Sequence, residues 1–159
     1  MPGARGEEET SFLSSFYGLI FLVVLLDQAS KAFALRYLSV HQSVPLIQGI
    51  FHLTLVHNTG IAFGFFRGHQ GILLAFITLS LLLLWGWAVR MEDKSFGGRM
   101  AFALILGGAA GNWIDRLRFR AVIDFLDFRV WPVFNIADSA ITIGVILYLF
   151  LLLRKKAHP

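Results

Sequence analysis

Residues 72–89 read ILLAFITLSLLLLWGWAV, Ile72 to Val89, eighteen consecutive residues without a charged side chain. At ~1.5 Å per residue such a helix extends about 27 Å, close to the ~30 Å of a bilayer's hydrocarbon core. A helix also closes its own backbone hydrogen bonds, which lipid does not do for it. Trp85 and Trp87 stand near the end of the stretch, where amphipathic rings favour the interface. Working outward, three more stretches fit a crossing. Residues 12–35 are uncharged from Phe12 to Leu26 and are then interrupted by Asp27 and Lys31. Residues 98–117 are uncharged from Met100 to Ile114 and end in Asn112, Asp115 and Arg116. Residues 136–153 begin with Asp138 and stop at Arg154-Lys155-Lys156.

The composition agrees with a membrane chain. Of 159 residues, 57% are hydrophobic and 15% charged, against about a quarter charged in an ordinary soluble domain. The mean hydropathy is +0.69. Zero cysteines exclude a disulfide framework, a thiolate metal site and a cysteine nucleophile. The net charge of +4 does not point to nucleic acid, because the fourteen Lys and Arg are scattered between apolar runs and build no basic helix face. Residues 1–10, with Glu7-Glu8-Glu9, are read as a disordered tail rather than a cleavable signal peptide, which wants a basic leader. Residues 11–155 then form a single membrane domain.

Four crossings put both termini on one side, and the 36–71 and 118–135 connections on the other. The basic residues divide evenly: Arg5, Arg90, Lys94, Arg99, Arg154, Lys155 and Lys156 against Lys31, Arg36, Arg67, Arg116, Arg118, Arg120 and Arg129. The termini are expected on the cytoplasmic side, because the 154–156 cluster flanks a helix end directly. With this topology Asp27, Lys31, Asn112, Asp115, Arg116 and Asp138 all lie at one membrane face. Asn58, Asp124, Asp127 and Asn135 join them from the loops. Ionisable groups at membrane depth cost several kcal/mol and usually face the bundle interior for a functional reason. Polar groups gathered in one leaflet fit a one-sided pocket better than a channel. Residues 44–66 are broken by Pro45, Gly49, Gly60 and Gly64, and Phe51, Leu53 and Leu55 alternate with His52, Thr54 and Val56. That period predicts a small sheet in the interface. The loop from about Gly60 to Gly68 reads as a lid with glycine hinges.

The acids Asp27, Asp115, Asp124, Asp127 and Asp138 are the catalytic groups available to that face. Two aspartates sharing a site do not both ionise cheaply, so one keeps a proton while the other activates water. Asp138 lies in the first turn of the fourth helix, three residues after Asn135, where the helix dipole favours a carboxylate. Asp124 is flanked by Val122, Ile123 and Phe125, an apolar setting that favours the protonated form. Asp124 is therefore expected as the initial acid and Asp138 as the initial base. Structural roles compete. Asp27 and Lys31 are spaced as a stabilising i,i+4 pair, Asp115 beside Arg116 as a helix-end pair, and Asp127 with Arg129 as a solvated or interfacial loop pair. Ala103, Gly107 and Gly111 form a small-residue stripe suited to close helix packing. His52 and His57 are an odd number apart on a strand, and no zinc motif is present, so no metal or cofactor is expected. The serine-peptidase signatures are missing too. Two other classes stay open on these residues alone: a proton-coupled carrier using Asp27-Lys31 and Asp115-Arg116 as relays, and a scaffold whose polar cluster is purely structural.

Five motifs in order resemble one family, the bacterial lipoprotein signal peptidases, signal peptidase II (aspartic peptidase family A8). They are Asp27-Gln28-Ala29-Ser30-Lys31; Asn58-Thr59-Gly60-Ile61-Ala62-Phe63-Gly64; Gly107-Gly108-Ala109-Ala110-Gly111-Asn112-Trp113-Ile114-Asp115-Arg116; Val122-Ile123-Asp124-Phe125; and Phe134-Asn135-Ile136-Ala137-Asp138-Ser139. The resemblance implies an all-α integral membrane protein of four transmembrane helices with a small extracytoplasmic β-cradle. It implies an inner-membrane aspartic endopeptidase that removes the signal peptide from diacylglyceryl-modified prolipoproteins, cutting before the lipidated cysteine. Asp124 and Asp138 take the place of the family's catalytic dyad. Asp27, Lys31, Asn58, Gly60, Asn112, Asp115, Arg116 and Asn135 take that of its supporting residues. Ile61 stands where the family more often has a small residue. The partners implied are the lipidated substrate and membrane lipid, with no nucleic acid, and the chain is expected to be a monomer.

Overall fold

The computed structural model describes residues 3–60, 70–90 and 95–157. Four helices, α1 Gly3–Tyr37, α2 Gln70–Arg90, α3 Phe96–Phe119 and α4 Ile136–Ala157, pack with three strands, β1 Ser43–Ile47, β2 Phe51–Asn58 and β3 Val122–Asp127. Residues 3–10 continue α1 rather than forming the expected tail. Ala4 and the three glutamates are good helix formers, and extending an existing helix carries no nucleation cost. The proposed lid, Gly60 to Gly68 with Ile61, falls almost wholly outside the described residues.

Among the described residues three helices are long and apolar enough to cross a membrane: Leu13–Tyr37, Gly71–Arg90 and Ile136–Lys155. Their outer faces expose Phe21, Leu25, Phe76, Leu83, Ile146 and Phe150, side chains that suit lipid. The third helix is absent from that set although its 24 residues extend about 36 Å. The reason is its place in the bundle. Helix α3 packs against α1, α2 and α4, so its surface is chosen for close approach rather than for lipid. A Cβ added at Gly107 would lie 2.9 Å from the Val23 side chain of α1, and one at Gly144 would lie 2.7 Å from the Ala101 carbonyl oxygen. One at Gly108 would collide with the Ala137 carbonyl oxygen of α4. The small-residue stripe is thus a packing device, as its spacing suggested. At one end of the bundle Phe16, Phe102, Ala103 and Leu106 form a core. Edge-on Trp87, Phe102 and Tyr148 rings extend it, with centroids 5.0 Å apart for Phe102–Tyr148.

The other end carries the sheet, antiparallel in the order β1-β2-β3. Its third strand was not expected, since residues 118–135 read as a connection. The run Val122-Ile123-Asp124-Phe125-Leu126 is apolar without a clear period of two, because β3 is buried at every position but Leu126, which is half-buried. Arg120, in the left-handed conformation at φ 56°, caps α3 and turns the chain directly into this strand. Ala34, Leu55, Ile123 and Phe125 then fasten the sheet to the end of α1. Asp127 pairs with Arg129 at 3.2 Å, as its spacing suggested. It is buried rather than solvated, receiving the Thr54 hydroxyl at 2.7 Å and the Arg129 N–H at 2.8 Å, so it ties β2 to β3.

Replacing Gly144 by Val is expected to destabilise the bundle by about 1–3 kcal/mol through overpacking against α3. Gly18→Ala, where a Cβ meets nothing within 4 Å, should leave stability unchanged or slightly raised. Thermal unfolding of the two variants in one detergent checks the contrast.

Candidate active site

The site begins with one buried cation. The Lys31 side chain, 2% exposed, is reached by Asp27 Oδ2 at 2.7 Å, Asp115 Oδ2 at 2.8 Å and Asn112 Oδ1 at 3.0 Å. An ammonium has three N–H donors, and three acceptors surround it. The i,i+4 spacing within α1 brings Asp27 to Lys31, while α3 supplies Asp115 and Asn112 from one helix face. Asp115 therefore pairs with Lys31 across the bundle, not with its neighbour Arg116 as the sequence suggested. Arg116 turns back to donate to the Asn112 carbonyl at 3.1 Å, within electrostatic reach of Asp138, Asp124 and Asp115.

The two carboxylates around Lys31 each hold a main-chain group of another element. Asp27 Oδ1 accepts the N–H of Ala137 at 2.9 Å, and Asp115 Oδ2 accepts the N–H of Ile123 at 3.1 Å. Ala137 immediately precedes Asp138, and Ile123 immediately precedes Asp124. A single ammonium thus links the two peptide units that carry the candidate dyad. Gln28, which the sequence reading quoted but assigned no role, braces the same cluster. It donates to Asp115 Oδ1 at 2.9 Å and to the Gly111 carbonyl at 3.2 Å, and it accepts from Arg118 at 3.2 Å. The available signal was an amide beside Asp27 at the end of an uncharged run.

Two asparagines connect the dyad residues directly. Asn135, fully buried, donates through Nδ2 to Asp124 Oδ1 at 2.7 Å and to Asn112 Oδ1 at 3.0 Å. Its Oδ1 accepts the Asp138 N–H at 2.9 Å, so it caps α4 as its spacing predicts. Asn112 Nδ2 donates to Asp138 Oδ1 at 2.7 Å. Asn58, at the end of β2, donates to Asp124 Oδ2 at 3.0 Å and receives the Gly60 N–H at 3.2 Å, which fixes its amide. Asp124 is 2% exposed. Burial pushes its carboxyl up to about 7; the Asn58 hydrogen bond opposes the rise and the nearby Asp138 charge adds to it. Asp138 is only half-buried and opens onto a cavity of about 540 Å³. Among the described residues Phe128, Trp131 and Phe134 wall this cavity on one side, and α4 walls it on the other. All ten residues singled out from the sequence thus belong to one neighbourhood at one end of the bundle. The aromatic wall was missed, since Phe128 to Phe134 reads as a plain loop. No group of three or more His, Asp or Glu side chains suited to a metal occurs among the described residues.

The arrangement has the parts of an aspartic acid–base site set in a membrane bundle, and comparison with known proteins gives the class. The sequence profile of the family described as signal peptidase (SPase) II, Peptidase_A8, matches residues 19–154. A lipoprotein signal peptidase of Halothermothrix orenii is 42% identical over 139 residues, covering 84% of this chain and 94% of that one. One from Fusobacterium nucleatum is 46% identical over 140 residues, covering 84% of each. A solved structure described as a bacterial membrane enzyme, obtained by the in meso method at 2.3 Å, superposes with a TM-score of 0.84 at 30% identity, covering 91% of both chains. The chain belongs to the signal peptidase II family, the lipoprotein signal peptidases, and is an aspartic peptidase of family A8.

Lys31→Met should leave two uncompensated buried carboxylates and cost about 3–5 kcal/mol of stability. Adding Asp27→Asn to Lys31→Met should recover part of that loss, because the two changes share one interaction. Unfolding of the single and double variants in detergent checks this; additive losses would contradict the coupling.

Proposed function

We propose that this chain removes signal peptides from diacylglyceryl-modified prolipoproteins by acid–base catalysis at Asp124 and Asp138, cutting before the lipidated cysteine. The observation that carries the reading is the pair of asparagines joining the two aspartates, one of them buried and neutral up to about pH 7. Asp138 takes a proton from water as its oxygen attacks the scissile carbonyl carbon, and Asp124 gives its proton to the carbonyl oxygen. When the intermediate collapses, Asp138 passes its proton to the cysteine nitrogen as the C–N bond breaks. The other hydroxyl of the intermediate returns a proton to Asp124. Asn58, Asn112 and Asn135 hold the carboxyls in place, and Arg116 supplies positive charge toward the developing oxyanion.

This reading takes α3 as a fourth crossing, with both termini cytoplasmic and the sheet and dyad at the extracytoplasmic face. This reading takes a single copy as sufficient. A proton-coupled carrier fits less well, because Asp115 and Arg116 form no pair in the structure and the charges around Lys31 are mutually satisfied.

The test is cleavage of a diacylglyceryl-modified prolipoprotein by detergent-purified protein with EDTA present. Cutting before the lipidated cysteine is expected, read by product mass. Asp124→Asn and Asp138→Asn, checked for folding, should each lose about 10²–10⁴-fold in kcat. An inert wild type, or full activity in either folded variant, overturns the mechanism. The catalytic rate of the wild type should fall as pH rises through about 7, where Asp124 gives up its proton. The folded state holds that proton above the ordinary carboxylate range, so this group's contribution to stability is complete below about pH 4 and is lost as pH rises through about 7. Asp124→Asn should remove that part of the pH dependence of the unfolding temperature.

A further inference from the structure

Asp127 is a buried acid for which the catalytic step has no use. Its partners come from β2 and from the turn after β3. The Thr54 hydroxyl donates to Oδ2 at 2.7 Å, the Arg129 guanidinium reaches Oδ2 at 3.2 Å, and the Arg129 N–H reaches Oδ1 at 2.8 Å. Thr54 has one hydroxyl proton, and an ionised carboxylate only accepts, so that proton goes to Asp127. The 3.0 Å contact between Thr54 and Ser43 then uses the Ser43 proton, and His52 Nδ1–H donates to Ser43 at 2.9 Å. The chain His52, Ser43, Thr54, Asp127 thus fastens all three strands together.

The tie falls where the sheet is irregular. Register runs His52 to Asp127 and Leu53 to Leu126 and resumes at Val56 to Asp124, so Thr54 and Leu55 together stand against Phe125. This is a β-bulge, one extra residue in β2. With it, Leu55 packs with Ala34, Ile123 and Phe125, Val56 pairs with Asp124, and Asn58 reaches Asp124 Oδ2 at 3.0 Å. A regular ladder continued from Leu53 would set Leu55 against Asp124 and turn Asn58 to the opposite face, because a slip of one residue reverses every side chain beyond it. Val56 would replace Leu55 in the core. That exchanges one apolar side chain for another, so burial alone discriminates weakly between the two registers.

We infer that Asp127 and Thr54 are positioning residues of the active site: their hydrogen bond pins the bulge, and the bulge delivers Asn58 to Asp124. The inference rests on the proposed function, which makes Asp124 the acid of the dyad. Asn58 donates to the carboxylate form of Asp124 and so opposes the rise that burial imposes. The charged groups around Asp124 are Asp138 of α4, Lys31 of α1 and Arg116 of α3, none of them carried on β2. Losing the bulge therefore removes a donor from Asp124, whose carboxyl then gives up its proton at higher pH. Losing the Asp127 charge acts the other way, since a negative neighbour makes a carboxyl less acidic. The sign of the change separates register from charge.

The test is infrared titration of the full-length protein in detergent, without substrate, following the protonated carboxyl band that Asp124→Asn deletes. In the wild type the band should vanish around pH 7. Thr54→Val, which preserves charge, and Asp127→Ala should each raise that midpoint by about one pH unit, the worth of a single hydrogen bond to a carboxylate. Asp127→Asn loses the same charge but still accepts from Thr54, so its midpoint should stay at or below the wild-type value. Asn58→Ala should raise the midpoint as far as Asp127→Ala does, and the two together no further. The alkaline limb of the cleavage rate should follow the same order. A midpoint that fails to rise in Thr54→Val and Asp127→Ala, rises equally in Asp127→Asn, or rises further in the double variant overturns the positioning role and leaves the peptidase reading intact. A wild type that titrates near 7 but cleaves no lipidated substrate overturns the peptidase reading and not the register lock. A wild type without such a band overturns the inference together with the assignment of Asp124 as the acid.

Discussion

Lys31 is a cationic side chain buried among packed helices, and the architecture at this end of the bundle follows from satisfying it. An unpaired buried ammonium costs far more than one helix contact returns, so Asp27, Asp115 and Asn112 must converge on it. That convergence sets the register of α1 against α3. It extends further because each carboxylate has lone pairs left over. Those accept the main-chain N–H groups of Ala137 and Ile123, which fixes where α4 starts and where β3 runs. The relative placement of Asp124 and Asp138 is thus inherited from a cluster whose charged members touch neither side chain, and only its Asn112 reaches one of them, donating to Asp138.

Close packing makes the cluster possible. The small faces of α3 let α1 and α4 approach almost to backbone contact, and at Gly111 an added Cβ would meet Asp27 Oδ2 at 2.5 Å. Close approach keeps water out of the Lys31 site and strengthens each electrostatic contact within it. The same exclusion raises the Asp124 carboxyl, whereas Asp138, facing the cavity, stays open to an incoming molecule. Two carboxyls of one kind are thereby made unlike in burial by position alone. Position also gives the site its one-sidedness, since the helices meet an aromatic core at the opposite end of the bundle.

Much was legible in the chain itself. Uncharged runs of fifteen to eighteen residues mark α1, α2 and α4 as helices apolar enough to cross a membrane, because lipid offers backbone groups no partners. The i,i+4 spacing of Asp27 and Lys31 and the Asn135 cap before Asp138 are local, and both occur as their spacing dictates. The glycine stripe declared close packing.

What the sequence could not declare depended on contacts between residues far apart in the chain. Asp115 lies beside Arg116 in sequence, yet its ion pair is with Lys31, 84 positions away, since only the packed bundle decides which cation a buried acid meets. The apolar run at 122–126 has no strand period because both of its faces are covered, and that covering is tertiary. Helix α3 escaped the composition of a lipid-facing span for the same reason: its neighbours are helices. The cavity at Asp138 exists only where the 128–134 loop folds over α4. Local hydrogen bonding and hydrophobic length are properties of the chain, while charge partners, burial and concavity arise only when distant segments exclude solvent together.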